Sequence, residues 1–317
     1  MRENLIYNSV LVIAMSFLLV APAHTTEHRW QAPELQNHPL TGAVYDLRTQ
    51  AFITSDDLQE FLKRSDYVLI GEKHDNPDHH QLEQEIISAN LAETAGSVVF
   101  EMLSEDQQVL IKQLQRTDSL DVLKDKLKWN ERSWPWADYG KLIHTTVQQG
   151  GKVISGNLST ATLQHLYKTS DKQRFTKEQQ KTINHIDHTV KEALLEQIYQ
   201  GHCRMTEKDR LGGMLTIQLA RDAMMAWQMA NSPQKPVVLV AGATHSRKDL
   251  GVPLHLKQLT KNSSTITTLL LVEVQEDLSQ PQDYVTQDQA DYIWFTPKQV
   301  SVDYCANFKR SHTKKTK

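Results

Sequence analysis

Tyr67-Val68-Leu69-Ile70-Gly71-Glu72-Lys73-His74 and Val237-Val238-Leu239-Val240-Ala241-Gly242-Ala243-Thr244-His245 share one pattern. Each is an apolar run, then a glycine, then a histidine three residues on. A short run that is apolar throughout reads as a strand buried on both faces of a parallel sheet. The glycine is expected to release the backbone where the strand stops, so the histidine lands just beyond the strand's carboxyl end. Open α/β sheets bind ligands in the crevice at those ends. The two phrases together predict one polar pocket built from distant parts of the chain.

Working outward, strands alternate with helices. Strands are expected over 67–72, 97–102, 152–156, 237–241 and 265–274, with an edge strand over 291–295. A helix over 79–93 has apolar positions at Leu82, Ile86, Ile87 and Leu91, with Asp75 or Asn76 as its cap ahead of Pro77. Another begins at Pro135 and stops at Gly150-Gly151. Ser104 with Gln107 has the spacing of a capping box. The polar stretch 159–231 carries no strand pattern and is expected to form a helical insertion subdomain over the strand ends. The fold class is therefore α/β: a mostly parallel central sheet flanked by helices, with a helical insertion.

The 317 residues are 39% hydrophobic and 23% charged, ordinary values for a globular chain. A net charge of −3 leaves no electrostatic footprint for nucleic acid. Val10 to Val20 is an apolar core followed by Ala21-Pro22-Ala23, so 1–23 reads as a secretory signal peptide and 24–40 as a linker. The main domain is expected over 41–300 and a solvated basic tail over 301–317. No cysteine lies near residue 23 to carry a lipid anchor, and the expected location is the periplasm or cell envelope. Cys203 and Cys305 could pair in such an oxidising compartment.

Four strand ends bring polar groups to one rim: Glu72 and His74, Glu101, Asn157, then His245 with Arg247. Charged groups at buried strand ends are costly unless paired or put to use. A His/Glu set can bind a divalent metal such as Mn or Co and activate water, or work as acid and base without metal. His79 and His80 point in different directions on their helix, so at most one faces the pocket. In the insertion, His185 and His188 are spaced for one helix face to which Tyr199 returns, ahead of Gly201-His202-Cys203. Tyrosine and histidine are both axial ligands of iron porphyrins, while a solvated polar face is the plainer reading. Arg221-Asp222 forms a buried pair or aims a guanidinium at a ligand carboxylate. The methionines of 206–231 read as core packing, as do Trp129, Trp134, Trp136 and Tyr139, with a wall for a planar ligand as the alternative.

Gly71-Glu72-Lys73-His74-Asp75-Asn76 with His79-His80, Phe100-Glu101-Met102, Gly201-His202-Cys203, Arg221-Asp222-Ala223-Met224-Met225-Ala226 and Ala241-Gly242-Ala243-Thr244-His245-Ser246-Arg247 together resemble the ChaN-like haem-binding family of the Tiki superfamily. The resemblance covers roughly residues 40 to 300, five motifs in order. It implies an exported haem-binding protein for haem or iron acquisition, a homodimer with cofacial haems, and an outer-membrane transport partner. It also implies a tyrosine on the iron, for which Tyr199 and Tyr139 are the candidates, and propionate partners drawn from His202, Lys73, Arg221 and Arg247. The wider superfamily contains metal-dependent proteases with paired GxxH motifs and is similar to erythromycin esterases. By that likeness Glu72, His74, Glu101 and His245 would be the metal-binding or catalytic set of a hydrolase.

Overall fold

The computed structural model describes residues 28–301 together with 303, 305 and 306. The expected signal peptide and most of the basic tail lie outside the described residues. One sheet organises the rest. Its strands are β1 (Val44–Asp46), β2 (Ala51–Ile53), β3 (Tyr67–Glu72), β4 (Ser97–Ser104), β5 (Lys152–Asn157), β6 (Val237–Gly242), β7 (Ile266–Glu273) and β8 (Tyr292–Thr296). Their order across the sheet is β2-β1-β8-β7-β3-β6-β4-β5. From β8 to β5 all neighbours are parallel, and only β1 is reversed, antiparallel to both β8 and β2. The α/β reading, with a mostly parallel central sheet, describes this architecture.

The two GxxH strands are direct neighbours. Tyr67 pairs with Val237 and the register runs unbroken to Glu72 opposite Gly242. Alternation then divides the side chains between two faces. Val68, Ile70, Val98, Phe100, Val238 and Val240 join one core with Leu82, Ile86 and Ile87 of the Pro77–Leu91 helix and Leu142 and Ile143 of the Trp136–Gln148 helix. Leu69, Val99, Leu239 and Ala241 face Met225, Ala226 and Met229 of the Gly212–Ala230 helix. Each fully buried aliphatic or methionine side chain contributes about 1.5–3 kcal/mol. Packing is thus the role of Met225 and Met229.

Several expectations change. β8 is an interior strand, because β1 and β2, each three residues long, cover it. Residues 28–40 pack on the domain instead of linking to it. The backbone N–H groups of Gln31 and Ala32 donate to the buried Asp78 carboxylate at 2.8 and 2.9 Å, and Ala32 is fully buried. Asn76 is the helix cap, accepting from the Asp78 N–H, with Pro77 in the first turn. The 159–231 stretch is helical among its described elements, but its last helix crosses under the sheet instead of standing over the strand ends.

His185 and His188 do not share a helix. Lys177–His185 ends at Ile186, which is extended, and Asp187 caps a new helix, His188–Gly201. His188 is exposed beside Glu192. The polar surface reading holds for both histidines.

Candidate functional site

The glycines of the two phrases work by close approach, and neither takes a left-handed backbone. A Cβ on Gly71 would stand 3.0 Å from both Ala243 Cα and Ser246 Cβ, and one on Gly242 would stand 2.9 Å from His74 Nε2. Each glycine makes room for the other phrase. That contact brings His74 over the end of β6, beside Glu101 and His245.

Glu72 anchors the first half of the rim. Its Oε1 accepts from His74 Nδ1 at 2.9 Å and from the Tyr139 hydroxyl at 2.9 Å, and its Oε2 lies 3.1 Å from His80 Nδ1. Burial works against charge on Glu72, but the bonds from His74 and His80 outweigh it and hold the carboxyl at about 2. Burial likewise opposes charge on His74, and Glu72 raises it to about 9. Trp134 packs edge-on against the His74 ring at 4.9 Å.

The second half is a buried acid–imidazole–acid row. His245 Nδ1 lies 2.5 Å from Asp222 Oδ1, and its Nε2 lies 3.5 Å from Glu101 Oε1. Glu101 also accepts the Gly242 backbone N–H at 2.9 Å. The Gln218 amide sits 3.1 Å from His245 Nδ1. Burial disfavours the imidazolium, yet Glu101 and Asp222 carry the His245 pKa above its ordinary value. Burial would raise Glu101, but the histidines, the Gly242 N–H and Arg221 bring it below the usual carboxylate range.

A cavity of about 710 Å³ opens above this rim, within the size range of cofactor sites. Glu72, Lys73, His74, Glu101, Gly242 and His245 form its floor, while Leu194, Ile198 and His202 of the His188–Gly201 helix and its end form a wall. Trp134 and Arg221 also line it. Residues 74, 101 and 245, expected to converge, share this one cavity.

The remaining candidates are placed as follows. Lys73 lines the cavity with its ammonium 3.1 Å from Asp75 and 3.0 Å from Glu273. Arg221 and Asp222 diverge: Asp222 holds His245, while the Arg221 Nε is buried without a hydrogen-bond partner among the described residues. His202 Nδ1 donates to the Ile198 carbonyl at 2.8 Å. Arg247 is chelated by Asp249 at 2.9 and 2.6 Å and is not among the lining residues. Tyr139 lies fully buried beneath His74. Burial and the Glu72 carboxylate push its phenol well above the ordinary range. Tyr199 lines a smaller neighbouring cavity with Glu207, Lys208 and Asp209, the Lys208 ammonium 5.2 Å from its ring centroid. Asn157 donates to the Glu101 carbonyl at 3.0 Å, holding β5 to β4.

Sequence reasoning passed over Gln218 and the tie from Asp222 to His245, since helix periodicity gives no sign of a partner on another element. It also set aside His80, although His80 and Glu83 are spaced three apart on one helix face, a legible pairing.

Residues 58–256 match the family described as haem-binding uptake, Tiki superfamily, ChaN. Among solved structures, ChaN of Campylobacter jejuni, described with cofacial heme binding, aligns with a TM-score of 0.66 at 24% identity, over 79% of this chain and 95% of that one. The type III effector HopBA1 aligns at 0.45 with 12% identity, over 77% of this chain and 93% of the other. An erythromycin esterase mutant in its open conformation aligns at 0.42 with 10% identity, over 84% and 86%. No curated protein matches the sequence.

Proposed function

We propose that this chain, which belongs to the ChaN family of haem-binding uptake proteins in the Tiki superfamily, holds haem in the cavity above the rim and serves haem or iron acquisition. Haem supplies an iron that takes an axial oxygen or nitrogen donor and two propionates that need cationic partners. The observation that carries the reading is Arg221. A guanidinium nitrogen buried at a cavity wall without a partner is costly, and a ligand carboxylate removes that cost. Lys73 is the second cation on the lining. Ile198 and Trp134 offer apolar surface to a porphyrin face.

Of the two tyrosines, Tyr199 is the proposed iron ligand. Ligation of ferric iron needs a phenolate, and Tyr139 is held in its protonated form by burial and by Glu72. Tyr199 sits on the helix that walls the cavity and lines the smaller cavity beside it, its ring centroid 5.2 Å from the Lys208 ammonium. The same reading has the chain exported to the periplasm or cell envelope. It acts there as a homodimer that exchanges haem with an outer-membrane transport partner. The Cys203–Cys305 disulfide supports that compartment. Titrating hemin into the purified protein should give a saturable Soret band with the charge-transfer bands of a tyrosinate-ligated ferric haem. Tyr199→Phe should remove those bands and Tyr139→Phe should keep them. The reverse pattern would move the ligand to Tyr139.

One observation favours a second reading. An imidazole held at Nδ1 by a buried carboxylate, with Nε2 toward a cavity and an acid beside it, is how a general base is positioned. His245 with Asp222 and Glu101 has that arrangement, and His74 with Glu72 faces it. A hydrolase using Glu72, His74, Glu101 and His245, with or without Mn or Co, would turn over ester or peptide substrates and lose that activity in His245→Ala. Absence of turnover with added Mn²⁺ or Co²⁺ removes this reading.

A further inference from the structure

Behind the rim, three ligand-type side chains meet in the protein interior. Glu72, His80 and Glu83 are buried, and one donor atom from each lies within 4.8 Å of the others. His80 Nδ1 is 3.1 Å from Glu72 Oε2 and 3.2 Å from Glu83 Oε2. The other ring nitrogen, Nε2, is 3.1 Å from the His74 carbonyl oxygen and donates to it. That bond keeps a proton on Nε2, so a metal ion would take the place of the Nδ1 proton that otherwise faces the two carboxylates. Metal-bound histidines are held this way, the ligating nitrogen facing the ion and the other N–H on a carbonyl.

We propose that Glu72, His80 and Glu83 form a binding site for one first-row divalent cation, buried between the rim and the Pro77–Leu91 helix. Without an ion, a proton on Nδ1 can point at only one of two carboxylates. Glu72 Oε2 and Glu83 Oε2 compete for that one proton, and Glu83 Oε1 is buried with no hydrogen-bond partner among the described residues, so the carboxylate oxygens outnumber the proton that faces them. A cation facing all three donors corrects that imbalance. One imidazole nitrogen with carboxylate oxygens suits Mn²⁺, Fe²⁺, Co²⁺ or Zn²⁺ over a site for Ca²⁺, whose ligands are all oxygen. Glu72 is the residue the site shares with the cavity rim, its side chain lying beneath His74. The site differs from the rim set of the hydrolase reading: it uses one histidine, from a helix, and neither His74 nor His245 ligates.

The test is a titration of the haem-free, chelator-stripped chain with Co²⁺, followed by visible absorption and by the shift in Tm. The expected result is one equivalent bound per chain, ligand-field bands and a raised Tm. Glu83→Gln should weaken binding at least tenfold, with cooperative unfolding confirming that the variant folds, and His245→Ala should bind as the parent does. Should Glu83→Gln fail to fold, cobalt X-ray absorption on the parent chain decides: one imidazole per ion supports the site. Absence of saturable binding, unchanged affinity in Glu83→Gln, loss in His245→Ala, or two imidazoles on the ion each overturns the proposal. Cobalt and hemin are scored separately, so failure of haem binding and failure of this site remain distinguishable.

Discussion

Asp222 Oδ1 lies 2.5 Å from His245 Nδ1, and Asp222 is fully buried. This contact joins the helix under the sheet to the end of the second GxxH phrase. It decides the charge state of the rim, since the imidazolium form of His245 depends on Glu101 and Asp222 against the cost of burial. Asp222→Asn should therefore lower the His245 pKa and destabilise the fold by about 3–5 kcal/mol, the range for breaking a buried pair. An NMR titration of the His245 ring checks the first and urea unfolding the second. An unmoved His245 titration would mean that Glu101 alone sets its charge.

The two glycines should differ in their tolerance of a methyl group. At Gly242 the added Cβ meets the His74 ring at 2.9 Å, a side chain with room to shift toward the cavity. At Gly71 it meets Leu270 Cδ2 at 2.4 Å and the Ala243 backbone at 3.0 Å. Gly71→Ala is expected to cost about 1–3 kcal/mol by overpacking, and Gly242→Ala less, while displacing His74 and weakening hemin binding. Denaturant midpoints and hemin affinities for the two variants provide the comparison.

His79 gives the fold an acid limit. It is fully buried, accepts the Lys73 backbone N–H on Nδ1 at 2.9 Å, and lies 2.9 Å from Thr296 Oγ1 through Nε2. Burial lowers its pKa from the model-compound value of 6.5 to about 3. Between those values the unfolded chain binds a proton that the folded chain refuses. The contribution is thus complete above pH 6.5 and is lost as pH falls toward 3, on the order of 5 kcal/mol in all. Stability measured at pH 7.5 and pH 4.5 should fall less in His79→Asn than in the parent chain. Equal slopes would show that other groups set the acid limit.

How much of this was legible in sequence follows from the range of the interactions. β3 and β6 could be read because 67–70 and 237–241 are short β-branched-rich apolar runs closed by glycine, the pattern of a strand covered on both faces. The paired phrases carried the expectation that His74, Glu101 and His245 share a pocket, whereas the direct pairing and register of β3 with β6 leave no trace in the sequence pattern. β1 and β2 are too short, at three residues each, to leave a periodic trace, so β8 looked like an edge. His185 and His188 were placed on one face because helical spacing runs through 181–201. Asp187 is a helix cap that accepts the Val190 N–H at 2.9 Å and resets the phase. Asp222 sits in a methionine-rich helix where spacing suggests only its neighbour Arg221, whereas its partner comes from a separate element.

The Cys203–Cys305 bridge spans a sequence separation of 102 and ties the C-terminal segment to the loop after the cavity-walling helix. Cys203→Ser with Cys305→Ser should cost about 2–4 kcal/mol, the usual range for a disulfide. It should also speed hemin release, because His202 loses a covalently tethered neighbour. Thermal unfolding and hemin transfer to an apo-globin acceptor report the two effects, and unchanged transfer would separate the bridge from the site.

The central claim is that haem occupies the rim cavity with a propionate on Arg221. The most direct measurement is a Soret-monitored hemin titration of the parent chain beside Arg221→Leu. Saturable binding in the parent and affinity at least tenfold weaker in the variant, with the fold intact by circular dichroism, is the result the account predicts. Equal affinity in the two, or no Soret band in the parent, would contradict it.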